Sequence, residues 1–184
     1  MAVEPVSEMS DVLASMDPTI EIVQATADQL PFEDASIDAL TVAQALHWFD
    51  GEDTWTEFGR VLRPGGGGGL IWNARDRSVE WVDRVWTIMD EVEKAAPWRN
   101  HDRQEEPRFG TARSLFGPID AASFMHEVNV DHEAMVDRVA SVSHVAVLPD
   151  DARRGVLDRV RAALPDLDIL KVRYRADVYA LHRT

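Results

Sequence analysis

Apolar residues along this chain keep two rhythms, and the changes between them mark its elements. The run Ile37-Asp-Ala-Leu-Thr-Val-Ala43, short, mostly apolar and with β-branched members, predicts a strand buried on both faces. Residues 2–4 (Ala-Val-Glu) predict the end of an earlier strand, and residues 20–25 (Ile-Glu-Ile-Val-Gln-Ala) another. Between these two, Met9, Val12, Leu13 and Met16 recur at helical spacing behind Ser7 in the N-cap position, and Asp17-Pro18 stops the helix. Further on, Asp50 and Asp53 resemble a capping arrangement for a helix whose apolar face is Trp55, Phe58, Val61 and Leu62. A longer amphipathic helix over 79–92 carries Trp81, Val85, Ile88, Met89 and Val92 on one side.

The C-terminal half continues in the same two rhythms. Residues 124–130 alternate weakly as a strand, 132–140 form a short helix, and Pro149 starts a helix with Val156, Leu157, Val160 and Leu164 inward. Residues 172–181 alternate apolar and polar at period two. Strand and helix in this succession, closing on strands, predict a doubly wound α/β sheet in one domain spanning 1–184. Pro31 and the Asp34-Ala-Ser36 cluster punctuate the turn before the strand at 37–43. Pro64 and Gly65–Gly69 predict a flexible turn into a strand at Leu70-Ile-Trp-Asn73, and the polar segment 97–110 is long enough for a lid or substrate loop. The tryptophans Trp55, Trp72, Trp81 and Trp86 fall on apolar faces and predict core positions.

Composition narrows the function classes. A 184-residue chain can bury a core without covalent staples, and the absence of cysteine excludes disulfides, thiolate metal sites and a cysteine nucleophile. Acidic residues outnumber basic ones 33 to 19, a net charge of −14. Residues 151–184 hold eight basic and five acidic side chains, so the first 150 carry −17. An acidic body repels a phosphate backbone, which argues against a nucleic-acid partner. The chain has no apolar run of the ~20 residues that a membrane span requires, and no signal-peptide pattern, so it is expected in the cytoplasm.

Known chemical motifs are mostly excluded by context. Gly65–Gly69 follows a helix and opens a strand, the reverse of a dinucleotide fingerprint, and the Gly-Lys-Ser/Thr of a P-loop is absent. His126-Glu127 and His132-Glu133 begin like zincin motifs, but neither has a second histidine at the required position. Ser141-Val-Ser-His144 lacks the glycines of a nucleophile elbow.

Three blocks carry a resemblance in combination: Leu30-Pro-Phe-Glu-Asp-Ala-Ser-Ile-Asp38, Ala43-Gln-Ala-Leu-His-Trp-Phe-Asp50 and Arg60-Val-Leu-Arg-Pro-Gly-Gly66. In order and spacing the chain resembles the class I S-adenosyl-L-methionine (SAM) dependent methyltransferases, in the small-molecule branch that includes trans-aconitate-type enzymes. The match extends back to Val3-Glu-Pro-Val-Ser-Glu-Met9 and more weakly forward. The resemblance implies a Rossmann-like methyltransferase sheet, SAM as cofactor, and methyl transfer to a small polar or acidic metabolite. It implies that Glu4, at a strand end, accepts hydrogen bonds from the ribose hydroxyls. It implies that Thr26, Ala27 and Asp28 meet the adenine, with Thr26 standing where an acid is usual; a turn with a solvated Asp28 is the alternative. Gln44 is implied to lie near the methionine part, and His47 and Trp48 to wall the transfer pocket. An aromatic face stabilises a sulfonium, and a histidine can take a proton near neutral pH. For His47 a capping or packing role stands beside that of base.

One part of the family pattern is missing. No strand ending in acidic-x-Gly-x-Gly-x-Gly occurs in the sequence, which begins where the family's second strand ends. The expectation is therefore an N-terminally truncated fold whose strand at 37–43 has an uncovered edge, to be closed in a homodimer or by a longer chain. A non-catalytic, dimer-forming or regulatory scaffold is the competing reading.

Overall fold

The computed structural model describes residues 1–49, 51–95 and 109–184, and the chain forms two compact units. The first comprises residues 1–72, 109–122 and 178–184; the second comprises 73–95 and 123–177. Most of the segment expected as a lid or substrate loop, 97–108, lies outside the described residues, as does Asp50.

In the first unit β1 (Ala2–Val3) pairs in parallel with β2 (Ile22–Val23), and α1 (Ser7–Met16) connects them. Ser7 opens α1 but does not cap it: the backbone N–H of Val6 donates instead to Oε1 of Glu4 at 3.0 Å. The second strand pair is separate. Here β3 (Ile37–Ala43) runs parallel to β4 (Leu62–Arg75), with Ala39 opposite Gly67 and Ala43 opposite Ile71. The four-stranded order is β3-β4-β6-β5, with β5 at Asp120–Val130 and β6 at Leu170–His182. In this unit Gly65 N–H donates to Arg183 O at 3.0 Å and Arg183 N–H to Gly66 O at 2.9 Å, so the C-terminal strand closes against β4. The succession is the mixed α/β arrangement that the sequence predicts.

Two further expectations fail in this unit. Gly65–Gly69 is not a flexible turn but the first half of β4. A Cβ on Gly66 would lie 2.9 Å from the carbonyl oxygens of both Arg63 and Asp38, and one on Gly67 3.0 Å from that of Leu181. Glycine is needed there because flanking backbone leaves no room for a side chain. Nor is β3 buried on both faces. Ala39, Thr41 and Ala43 are exposed, because β3 ends the strand order and its second edge has no partner among the described residues.

The core of this unit gathers behind the sheet. Helix α2 (Glu52–Val61) turns Trp55, Phe58 and Val61 inward, each at most 3% exposed, and α4 (Gly110–Phe116) adds Ala112 and Phe116. Trp55, Phe58, Ala112 and Phe116 meet Leu46, Leu62, Leu70 and Leu181, a set whose burial supplies most of the drive for this unit to fold. Trp55 contacts Phe58 edge-on at 5.9 Å and Phe116 at 6.4 Å, which accounts for its burial.

The second unit is helical around the inner ends of β4, β5 and β6. Helix α3 (Glu80–Ala95) buries Val82, Val85, Trp86 and Met89, while Trp81, Ile88 and Val92 pack at the margin. Its face is thus rotated by about one position from the stripe that the spacing suggests. Helix α5 (His132–Ala140) starts on Asp131, whose Oδ1 accepts from Ala134 N–H at 2.8 Å. After the single turn of α6 (Ser143–Ala146), α7 (Asp150–Ala163) contributes Val156 and Val160. In β6 burial alternates from Leu170 through Arg175, placing Leu170, Val172 and Tyr174 in this core.

Candidate functional site

A groove of about 1010 Å³ opens in the first unit between the two strand pairs. One wall is the end of β1 with Glu4 and Pro5, together with Ala25–Asp28 beyond β2. The facing wall is the unpaired edge of β3, from Ala39 to Ala43, continuing into Ala45, Trp48 and Phe49. Thr54, Phe58 and Val61 of α2 also line it. Both parallel pairs end here, at the edge where open α/β sheets hold ligands.

Five of the seven residues singled out from the sequence share this groove: Glu4, Thr26, Ala27, Asp28 and Trp48. Glu4 is half-buried, and one carboxylate oxygen is engaged with Val6 N–H. The segment Thr26–Gln29 folds into a turn in which Gln29 N–H donates to Thr26 O at 3.2 Å, leaving Thr26 and Asp28 exposed. Ala27 instead packs on the core cluster, which fixes the turn. Trp48 is 57% exposed and presents an aromatic ring to the groove.

Gln44 and His47 do not line the groove. Gln44 has a left-handed backbone (φ +58°), and its N–H donates to Ile71 O at 2.9 Å, prolonging the β3–β4 ladder by one bond. His47 sits in the 3-10 turn Leu46–Trp48, half-buried, with its ring 5.1 Å from that of Trp48. The turn is anchored by Leu46, which is fully buried.

Two positioning residues escaped the sequence reading. Glu57 and Arg60, three apart on α2, clamp the loop that carries Leu30 to Asp34. Glu57 Oε1 accepts from Leu30 N–H at 2.7 Å. Arg60 donates to Glu57, to the carbonyls of Phe32 (2.8 Å) and Leu30 (3.1 Å), and to Asp34 Oδ1 (2.7 Å). Leu30 and Phe32 line the groove, so this clamp shapes one of its margins. The Arg60 side chain holds the Glu57 carboxyl below its ordinary pKa, against the opposing effect of burial. The signal was present: a Glu and an Arg at i, i+3, both off the apolar face of the helix.

A family model described as a methyltransferase domain matches residues 1–67. The chain is 37% identical over 168 residues to an uncharacterized methyltransferase of Mycobacterium tuberculosis, covering 89% of this chain and 63% of that protein. It therefore spans less than two thirds of that relative's length. It is 30% identical over 190 residues to an uncharacterized methyltransferase-like protein of Schizosaccharomyces pombe, covering 98% of this chain and 72% of that one. Among solved structures, a protein assigned as a type II methyltransferase from Anaeromyxobacter dehalogenans superposes with a TM-score of 0.56 at 22% identity, over 97% of this chain and 77% of that one. The YcgJ protein of Bacillus subtilis does so with a TM-score of 0.52 at 16% identity, over 98% and 80%. At such identities the likeness to these structures is one of fold, and that fold is the Rossmann-like methyltransferase sheet. On the strength of the yeast and mycobacterial relatives, the chain belongs to the methyltransferase family.

Proposed function

We propose that the groove of the first unit binds SAM and that the protein transfers its methyl group to a small polar or acidic metabolite. The supporting observation is that Glu4, Thr26, Ala27, Asp28 and Trp48 converge on one groove. Its volume is at the upper end of the ~300–1,000 Å³ usual for small-molecule sites. The residues also suit the ligand chemically. A half-buried carboxylate at a strand end can take both hydroxyls of a ribose, and an exposed aromatic face favours a sulfonium over a neutral thioether.

SAM supplies an electrophilic methyl group; the protein's part is binding and alignment. Glu4 would fix the ribose, and the turn at Thr26–Asp28 would meet the adenine through backbone and polar side chains. Trp48 would close the methyl end; Gln44, although outside the lining, follows the β3 end that would face the methionine portion. Held in line at short range, acceptor and methyl gain most of their rate from lost orientational freedom. His47, beside Trp48 but outside the groove lining, is the candidate base for an acceptor proton. The test is release of S-adenosylhomocysteine from SAM in the presence of a panel of small organic acids. Release that depends on acceptor and falls in Trp48→Ala supports the proposal; no release with any acceptor, from protein that binds SAM, removes the catalytic part of it.

A second reading has its own observation. The edge of β3, unpaired among the described residues, and the apolar stripe of α1, with Met9 58%, Val12 54% and Met16 78% exposed, are two surfaces that favour burial. A homodimer closing over that edge, with or without turnover, would cover both. Sedimentation equilibrium distinguishes the cases: a monomer at micromolar concentration eliminates the dimer.

A further inference from the structure

Every charged side chain that lines the groove is a carboxylate: Glu4, Asp28 and Asp53. Among the described residues the lining holds no lysine, arginine or histidine, and its one residue with a positive group is Met1, at the amino terminus. The bias is written into the sequence. Residues 1–59 hold 13 acidic and no basic side chains, and residues 60–184 hold 20 and 19. Nearly all of the net charge of −14 therefore lies in the segment that builds the groove. The first two arginines after it are already committed, Arg60 to Glu57 and Asp34 and Arg63 to Asp38 at 2.8 Å. Asp28 and Asp53 are exposed and form no ion pair among the described residues.

A cleft whose fixed charges share one sign gathers ions of the opposite sign and turns away its own. A carboxylic acid entering this groove would meet three carboxylates and no lysine or arginine to pair with. An ammonium would meet those carboxylates and the face of Trp48, which is 57% exposed. Next to Asp53, Thr54 lines the groove at 2% exposure, and its hydroxyl has no hydrogen-bond partner among the described residues. A sheltered hydroxyl without a partner is costly, and a ligand N–H in the groove would answer it. With Glu4 assigned to the ribose and Asp28 to the adenine turn, Asp53 is the carboxylate left on the side of Trp48, Phe49 and Gly51.

We propose that the methyl acceptor is a cationic amine, held by Asp53, Thr54 and Trp48, and not a carboxylic acid. The proposal rests on the reading of the groove as the SAM site and narrows its acceptor class. The bound ammonium first gives one proton to water. Its nitrogen lone pair then forms the bond to the methyl carbon while the carbon–sulfur bond breaks. That bond's electrons stay on sulfur, leaving S-adenosylhomocysteine and a methylated ammonium.

The test is titration of the full chain with 1,4-diaminobutane, and with succinate as the acid of equal chain length, at matched ionic strength. Binding is followed by the Trp48 indole N–H signal in a proton–nitrogen correlation spectrum, identified by its loss in Trp48→Phe. Saturable movement with the diamine and none with succinate is expected. In Asp53→Asn the affinity should fall at least about tenfold, and in Thr54→Val, which keeps the shape and removes the hydroxyl, several-fold. Movement with succinate, a signal unmoved by the diamine, or unchanged affinity in Asp53→Asn would overturn the amine assignment. Calorimetry with S-adenosylhomocysteine on the same protein keeps the two readings apart. Cofactor binding without a response to the diamine removes the acceptor class and leaves the cofactor site standing; absence of cofactor binding removes both.

Discussion

Arg60 and Glu57 are joined by two parallel hydrogen bonds, Nη2 to Oε1 at 2.7 Å and Nε to Oε2 at 2.8 Å. The pair matters for what else each member holds. Glu57 accepts from Leu30 N–H while Arg60 donates to the carbonyls of Leu30 and Phe32, so one helix turn fixes the loop entering β3. The acidic-looking segment Leu30-Pro-Phe-Glu-Asp34 is thereby a structural clasp at the groove margin.

Glu57→Gln should lower stability by about 1–2 kcal/mol, the worth of a charge-assisted hydrogen bond weakened at a half-sheltered site. The pH dependence has a definite sign. The folded carboxyl titrates below its usual 4.5, so its contribution is present above about pH 4.5 and is lost as pH falls through the folded value. Urea melts from pH 7 to pH 3 should show a steeper acid loss for the natural protein than for Glu57→Gln. Parallel curves would mean that the clasp contributes nothing.

Gly66→Ala and Gly69→Ala should separate cleanly. At Gly66 the added methyl meets two carbonyl oxygens at 2.9 Å, both backbone, so strands must move, at a cost of about 1–3 kcal/mol. At Gly69 its nearest neighbour is Thr41 Cγ2 at 3.6 Å, an ordinary contact. Thermal melts giving equal losses for both variants would contradict the close strand approach at Gly66.

Local pattern carried much of the fold and little of the site's orientation. The strand Ile37–Ala43 and the helix His132–Ala140 begin and end where their periodicity changes, because apolar spacing decides which residues can face a core. The glycine run was misleading because what it accommodates is remote in sequence: the carbonyls of Asp38 and Leu181. Exposure of β3 was hidden for a similar reason, since burial of a strand edge depends on a neighbour that the run itself cannot reveal. At the site, a motif orders residues along the chain but does not say which way they turn. Trp48 faces the groove and the adjacent His47 does not line it, a division set by a 3-10 turn pinned at Leu46. Gln44 is taken out of the lining by a positive φ.

Glu4→Gln isolates the proposed ribose contact. The amide still offers an oxygen to Val6 N–H, so the start of α1 is preserved while the charge and one acceptor are lost. Affinity for S-adenosylhomocysteine should fall about tenfold, equivalent to ~1.4 kcal/mol, with far-ultraviolet circular dichroism unchanged. An unaltered dissociation constant would take Glu4 out of the site.

Calorimetric titration of this 184-residue chain with S-adenosylhomocysteine tests the groove most directly. A groove formed by β1, the turn after β2 and the edge of β3 predicts a one-site isotherm of micromolar strength, about −8 kcal/mol. No heat from protein shown to be folded by a cooperative melt would contradict the groove as a cofactor site.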